Sequence, residues 1–175
     1  GGGQAERLVN GAFTSGTASW VLPATNTASS AGITTAGTYP HSGTSYGYVG
    51  NLVNSATYEL YQGVAIPSTA TAGSISFWLN VVTQEALTDT GAYDTMTATV
   101  QNASSTVLCS LGTWANHNAN DNGNTNGSYT QKSFTLSPSC VTAIKGQTVY
   151  LVFAGTSDAS LGTTFRIDDA SFMTN

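Results

Sequence analysis

The stretch that most limits what this chain can become is its last one, residues 164–172, Thr-Phe-Arg-Ile-Asp-Asp-Ala-Ser-Phe. Apolar side chains alternate at Phe165 and Ile167, then slip by one residue to Ala170 and Phe172. A strand has a side-chain period of two, so the slip calls for a β-bulge at Asp168–Asp169. The bulge re-aims two adjacent carboxylates where the chain otherwise reads as core strand. Two like charges so close are costly unless a positive group sits between them or water covers them. The whole chain has only four Lys and Arg, so a bound cation is one reading. The other puts one Asp in solvent and uses its neighbour to cap backbone N–H groups at the bulge.

The same alternation recurs along the chain, and no helix-length amphipathic segment is found. Residues 8–13 open the fold, Trp20 to Leu22 follow, and a short strand is expected around Ile33. Tyr46 and Tyr48 flank a glycine in another. Residues 58–66 put Tyr58, Leu60, Gln62, Val64 and Ile66 on one face, with Gln62 a structural amide. Residues 74–82 turn Ile75, Phe77, Leu79 and Val81 inward and Ser76, Trp78 and Asn80 outward. Further strands are expected at 94–100, 106–111, 130–136 and 148–154, separated by Gly, Pro, Asn and Ser. That makes about ten short strands, the pattern of an all-β antiparallel β-sandwich of jelly-roll type. One domain over residues 8–175 accounts for them. Residues 1–7 read as a linker end or tag remnant.

Composition narrows the function. Charged residues are 7% of the chain, against about 25% in an average domain. Hydroxyl and amide side chains replace them, as is common in secreted modules. A net charge of −5 with so few basic residues argues against nucleic acid and anionic membrane surfaces. No apolar run reaches the ~20 residues that span a bilayer. Cys109 and Cys140 could close one disulfide around a loop of about 30 residues, or remain two buried thiols. The secreted character favours the bridge.

Metal ligands are the first candidate chemistry. If the loops after 74–82 and after 148–154 lie at one end of the sandwich, Glu85, Asp94 and Asp158 converge there. Carbonyls and the hydroxyls of Ser160 or Thr163 would complete an oxygen shell, which suits Ca²⁺ and not Zn²⁺. Asp168 or Asp169 could serve a second site with carbonyls near Asn10 and Gly11. Outward aromatics are the second candidate: Trp78, Trp114, Tyr46 and Tyr48 offer flat faces on which sugars stack. Loop packing is the competing account of each. Two motif matches fail. Gly43–Gly47 matches Gly-x-Ser-x-Gly, but no helix follows. Asn118–Gly123 imitates an EF-hand start, but the twelfth position is Tyr129. A Glu85/Gln62 hydrolase dyad lacks any supporting sequence.

Several short segments together resemble a family. They are Leu8-Val-Asn-Gly-Ala-Phe13, Tyr39-Pro-His-Ser-Gly43, Ser76-Phe-Trp-Leu79, Thr83-Gln-Glu85, Tyr93-Asp94, Gln131-Lys-Ser-Phe134, Gly146-Gln-Thr-Val149 and Phe165-Arg-Ile-Asp-Asp169. Their order is similar to that of galactose-binding-like, carbohydrate-binding-module-like jelly-roll domains of secreted bacterial proteins. Such domains often sit beside exported peptidases or glycoside hydrolases. The resemblance implies a non-catalytic accessory module with structural calcium and, in some cases, a polysaccharide or cell-surface glycan as ligand. Where such modules carry an acid after the opening Phe, this chain has Thr14, which shifts the weight of a calcium site to Glu85, Asp94 and Asp158. A structural or sorting domain of an exported peptidase is the alternative, and a small all-β hydrolase a third.

Overall fold

The computed structural model describes residues 3–26, 30–123 and 127–175. Ten strands run in chain order: β1 (Ala5–Glu6), β2 (Ala31–Thr34), β3 (Tyr46–Gly50), β4 (Ala56–Ala65), β5 (Gly73–Thr83), β6 (Thr95–Gln101), β7 (Val107–Ala115), β8 (Thr130–Thr135), β9 (Thr148–Ser157) and β10 (Thr163–Thr174). One short α-helix, α1 (Pro138–Ile144), lies between β8 and β9, and a 3-10 turn, Asn116–Asn118, follows β7. Two antiparallel sheets result, ordered β2-β3-β10-β5-β8 with β1 added to β10, and β4-β9-β6-β7. This is the expected antiparallel sandwich.

The period-two residues supply the core. Val49, Ile75, Phe77, Leu79, Phe165 and Ile167 of the first sheet meet Tyr58, Leu60, Met96, Val100, Leu151 and Phe153 of the second, all buried. Phe77 and Phe153 touch edge to face with centroids 5.0 Å apart. The bulge falls where the phase slip puts it: the β10–β5 register shifts between Asp168 and Ser171, and Asp169 has φ +47°.

Two parts of the chain differ from expectation. Residues 8–13 form no strand, because Asn10-Gly11 turns the backbone left-handed at Asn10, φ +56°. A Cβ on Gly11 would also collide with the Ala170 carbonyl. Trp20 stacks on Phe13 at 4.8 Å and donates its indole N–H to the Asn10 carbonyl. The strand that edges β10 is instead β1, from the segment read as linker. The second difference is α1. Ser137 caps it by accepting from Cys140 N–H, and Pro138 opens it. Its seven residues are too few to show a helical period. Cys140 on α1 is disulfide-bonded to Cys109 on β7, as the composition favours. Of the Asn-rich loop, residues 124–126 lie outside the described residues.

Candidate functional sites: an acidic loop end and two aromatic clefts

The ends of β5 and β9 and the starts of β6 and β10 meet at one end of the sandwich. Glu85, Asp94 and Asp158 converge there, each offering a carboxylate oxygen within 4.8 Å of the others. Asp94 is fully buried. Its Oδ1 accepts from the Asp158 N–H (3.2 Å) and its Oδ2 from the Thr163 hydroxyl (2.7 Å). Because Thr163 donates to Asp94, it accepts from Thr83 Oγ1 at 2.8 Å, and Thr83 in turn accepts the Glu85 N–H. Asn116 fixes the entry to β6, its side-chain oxygen accepting from the N–H groups of Tyr93 and Asp94.

Burial raises the Asp94 carboxyl above its ordinary range, offset in part by its two donors. Burial also raises Glu85, and the like charges of Asp158, Asp89 and Asp94 push it further. None of the four basic residues is placed in this group. Arg7 bonds Thr174, Lys132 lies on β8, Lys145 ends α1, and Arg166 packs on Tyr39. Three convergent carboxylates in such a setting could hold a metal ion. Of the two expected hydroxyl ligands, that of Thr163 donates to Asp94, while Ser160 meets the cluster through its backbone N–H, which donates to Asp158 (3.1 Å).

Asp168 and Asp169 meet different partners. Asp168 is fully buried and accepts three backbone N–H groups: those of His41 (2.9 Å), Ser42 (3.1 Å) and Asp169 (2.8 Å). Burial is the largest influence on its carboxyl, which sits at about 6 despite those donors. Asp169 Oδ2 lies 2.7 Å from His41 Nδ1 and 2.7 Å from the Ser42 hydroxyl. The Gly11 carbonyl accepts from Ala170, and the Asn10 carbonyl from Phe13 and Trp20. The bulge carboxylates thus tie down the 38–45 loop.

The four aromatic candidates have unequal surroundings. The Trp78 ring is covered by His41, stacked at 3.8 Å with 15° between planes. Trp114 packs edge-on against Phe77 and Phe134 at the rim of the core. Tyr46 and Tyr48 stand on the outer face of β3 and line a cleft of about 300 Å³ with Tyr39, Asn51, Thr164 and Arg166.

The clearest aromatic platform lies on the other sheet, at residues the sequence reading did not single out. Tyr61 of β4 and Tyr150 of β9 meet edge to face, centroids 5.8 Å apart, on the outer face. Gly63 lies opposite Tyr150, where a Cβ would crowd the ring at 3.2 Å. Gln101 of β6 is the other cross-strand neighbour of Tyr150. With Pro23, Glu59 and Asn102 these rings line a cleft of about 250 Å³. The inward alternation of Leu60 and Gln62, and of Val149 and Leu151, already placed both tyrosines outward. That β4 and β9 are neighbours was the missing fact.

No protein-family model and no curated protein matches the chain. Solved structures do. TmCBM61, solved in complex with β-1,4-galactotriose, superposes with a TM-score of 0.62 at 14% identity, covering 98% of this chain and 99% of that one. The K3 cleaved adhesin domain of Lys-gingipain from Porphyromonas gingivalis W83 gives 0.58 at 18% identity, covering 98% and 99%. A Stig cyclase from Fischerella gives 0.56 at 11% identity, covering 99% and 98%. The chain therefore has the jelly-roll fold of carbohydrate-binding-module-like and adhesin domains. The disulfide fits an oxidising compartment, and among the described residues no helix is long and apolar enough to cross a membrane.

Proposed function

We propose that this chain is a non-catalytic carbohydrate-binding module of an exported protein, working beside a parent enzyme domain. It binds a polysaccharide across the β4–β9–β6 face and is stabilised by Ca²⁺ at Glu85, Asp94 and Asp158. The observation that carries the binding role is the Tyr61–Tyr150 pair. Two half-exposed phenol rings stand on a sheet face, flanked by the amides of Gln101 and Asn102. Sugars present apolar C–H faces to such rings and hydroxyls to such amides. No basic residue lines the cleft and Glu59 rims it, which favours a neutral glycan. Calcium is favoured because the convergent groups are all oxygen donors.

A neutral oligosaccharide panel that includes β-1,4-galactotriose tests the reading, scored by calorimetry. Saturable binding is expected, weakened about tenfold by Tyr61→Ala or Tyr150→Ala without a change in melting temperature. No binding to any neutral glycan would leave the second reading, an adhesin-like structural domain, which the fold of the gingipain domain favours.

A further inference from the structure

The Tyr61–Tyr150 cleft does not stop at Glu59. That residue also lines a second cleft of about 260 Å³ on the same outer face, with Thr57, Thr95, Thr97, Ala154 and Thr156. Residues two apart on a strand share a face. Tyr150 and Val152 under the first cleft therefore stand in one outward row of β9 with Ala154 and Thr156 under the second. Six residues at 3.3 Å each make that row about 20 Å long. One wall is locked to the sheet edge. Val21 exchanges both backbone hydrogen bonds with Tyr61, at 2.8 and 3.1 Å. Asn26 bonds Glu59 as a neighbouring strand would: its Oδ1 accepts the Glu59 N–H and its Nδ2 donates to the Glu59 carbonyl, each at 2.8 Å. Pro23 of this segment lines the first cleft, and Thr25 and Asn26 line the second. The register sets Thr57, Thr156 and Thr95 side by side across three strands, with the last two hydroxyls 2.9 Å apart. Glu59, exposed at the junction, uses only its backbone in the bonds to Asn26.

We propose that the two clefts form one groove, in which a linear neutral glycan lies parallel to the strands and Glu59 accepts two hydroxyls of the sugar unit at the joint. This rests on the reading of the Tyr61–Tyr150 face as a neutral glycan site. A carboxylate accepts two hydroxyl donors at once, and such charge-assisted bonds are roughly twice as strong as neutral ones. The same charge repels a uronate or a sulfate. The phenol rings hold one end of the glycan by its C–H faces, and the threonine hydroxyls hold the other by hydrogen bonds. Each cleft alone, about 250 and 260 Å³, falls below the usual size of a ligand site, whereas the joined groove takes several sugar units. Glu59 is then the specificity residue: it favours a unit with two adjacent free hydroxyls over one substituted there.

The test is calorimetry of the full chain, in saturating Ca²⁺ throughout, with galactan, cellulose and mannan oligosaccharides of two to six units. In the series that binds, the hexasaccharide should exceed the trisaccharide in affinity by about tenfold or more. Thr95→Val combined with Thr156→Val should bring the hexasaccharide down to the affinity of the trisaccharide and leave the trisaccharide unchanged. Should that pair fail to fold, Thr57→Val at an exposed position carries the same test. Glu59→Gln, which keeps the shape and loses the charge, should weaken the hexasaccharide about tenfold. Tyr61→Ala should weaken both lengths. If the trisaccharide binds and further units add nothing, the groove ends at Glu59; the proposal falls and the glycan face stands. If the gain with length survives the threonine changes, the glycan crosses the strands, and the proposal falls likewise. Absence of binding at every length overturns the glycan face and this groove with it.

Discussion

At Asp94 a carboxylate with no exposed surface faces two other acids, and its pKa is raised by that burial. The sign of the pH dependence follows. The folded protein holds protons on Asp94 and Glu85 that the unfolded chain has released, so stability falls as pH rises from the ordinary carboxylate range through the raised values. Asp168, at about 6, has the same sign between about 4 and about 6. Urea unfolding in chelator should show this fall. Saturating Ca²⁺ should abolish the share owed to Asp94 and Glu85 and leave that of Asp168. A slope unchanged by Ca²⁺ would place no ion at the cluster. Asp94→Asn should lose the Ca²⁺ response and, in chelator, be at least as stable as wild type, since it removes a buried charge. The convergence of Glu85, Asp94 and Asp158 was legible only on the condition that their loops lie at one end, which the pairing of β5 with β10 and of β6 with β9 meets. The pairing of His41 with Asp169 was not, since nothing local connects residues 128 apart.

The bulge in β10 shows how an element does two jobs. Its phase slip keeps Phe172 in the core while turning Asp168 toward the 38–45 loop. Asp168→Ala strands the N–H groups of His41 and Ser42, and the expected loss is about 1–3 kcal/mol in denaturant midpoint analysis. A smaller loss would mean that the loop is held mainly by the His41–Trp78 stack. The disulfide acts between elements, joining β7 to α1 across a separation of 31 residues. Paired Cys109→Ala and Cys140→Ala changes should cost roughly 3–4 kcal/mol by the same measurement. Strands with clean alternation, such as 74–82, could be read directly. The helix could not, because one cap and one proline are its only local marks. The opening strand was misplaced because Leu8, Val9 and Phe13 look like a strand, while Asn10-Gly11 bends the backbone between them.

Across the whole molecule the acidic cluster and the Tyr61–Tyr150 face are separate. Tyr150 lies near the start of β9 and Asp158 just past its end, so eight residues at 3.3 Å each place them about 26 Å apart. The strands between are paired on both sides by β4 and β6, which makes the sheet a stiff spacer. On the proposed reading, calcium held at this end acts on folding and not on recognition. At a free concentration a hundred times its Kd, an ion that binds only the folded chain adds about 2.7 kcal/mol. For a domain of this length that corresponds to a rise of roughly 5–10 °C in melting temperature. Chelator should reverse the rise. Well below the melting temperature, chelator should change affinity at the Tyr61–Tyr150 face by less than about twofold, because β9, paired on both sides, separates the two as a stiff spacer. Calorimetry with and without chelator, on wild type and on Asp94→Asn, checks both halves. A large drop in affinity on chelation would mean that the loop end and the sheet face are coupled through β9, and would make the ion part of the binding site.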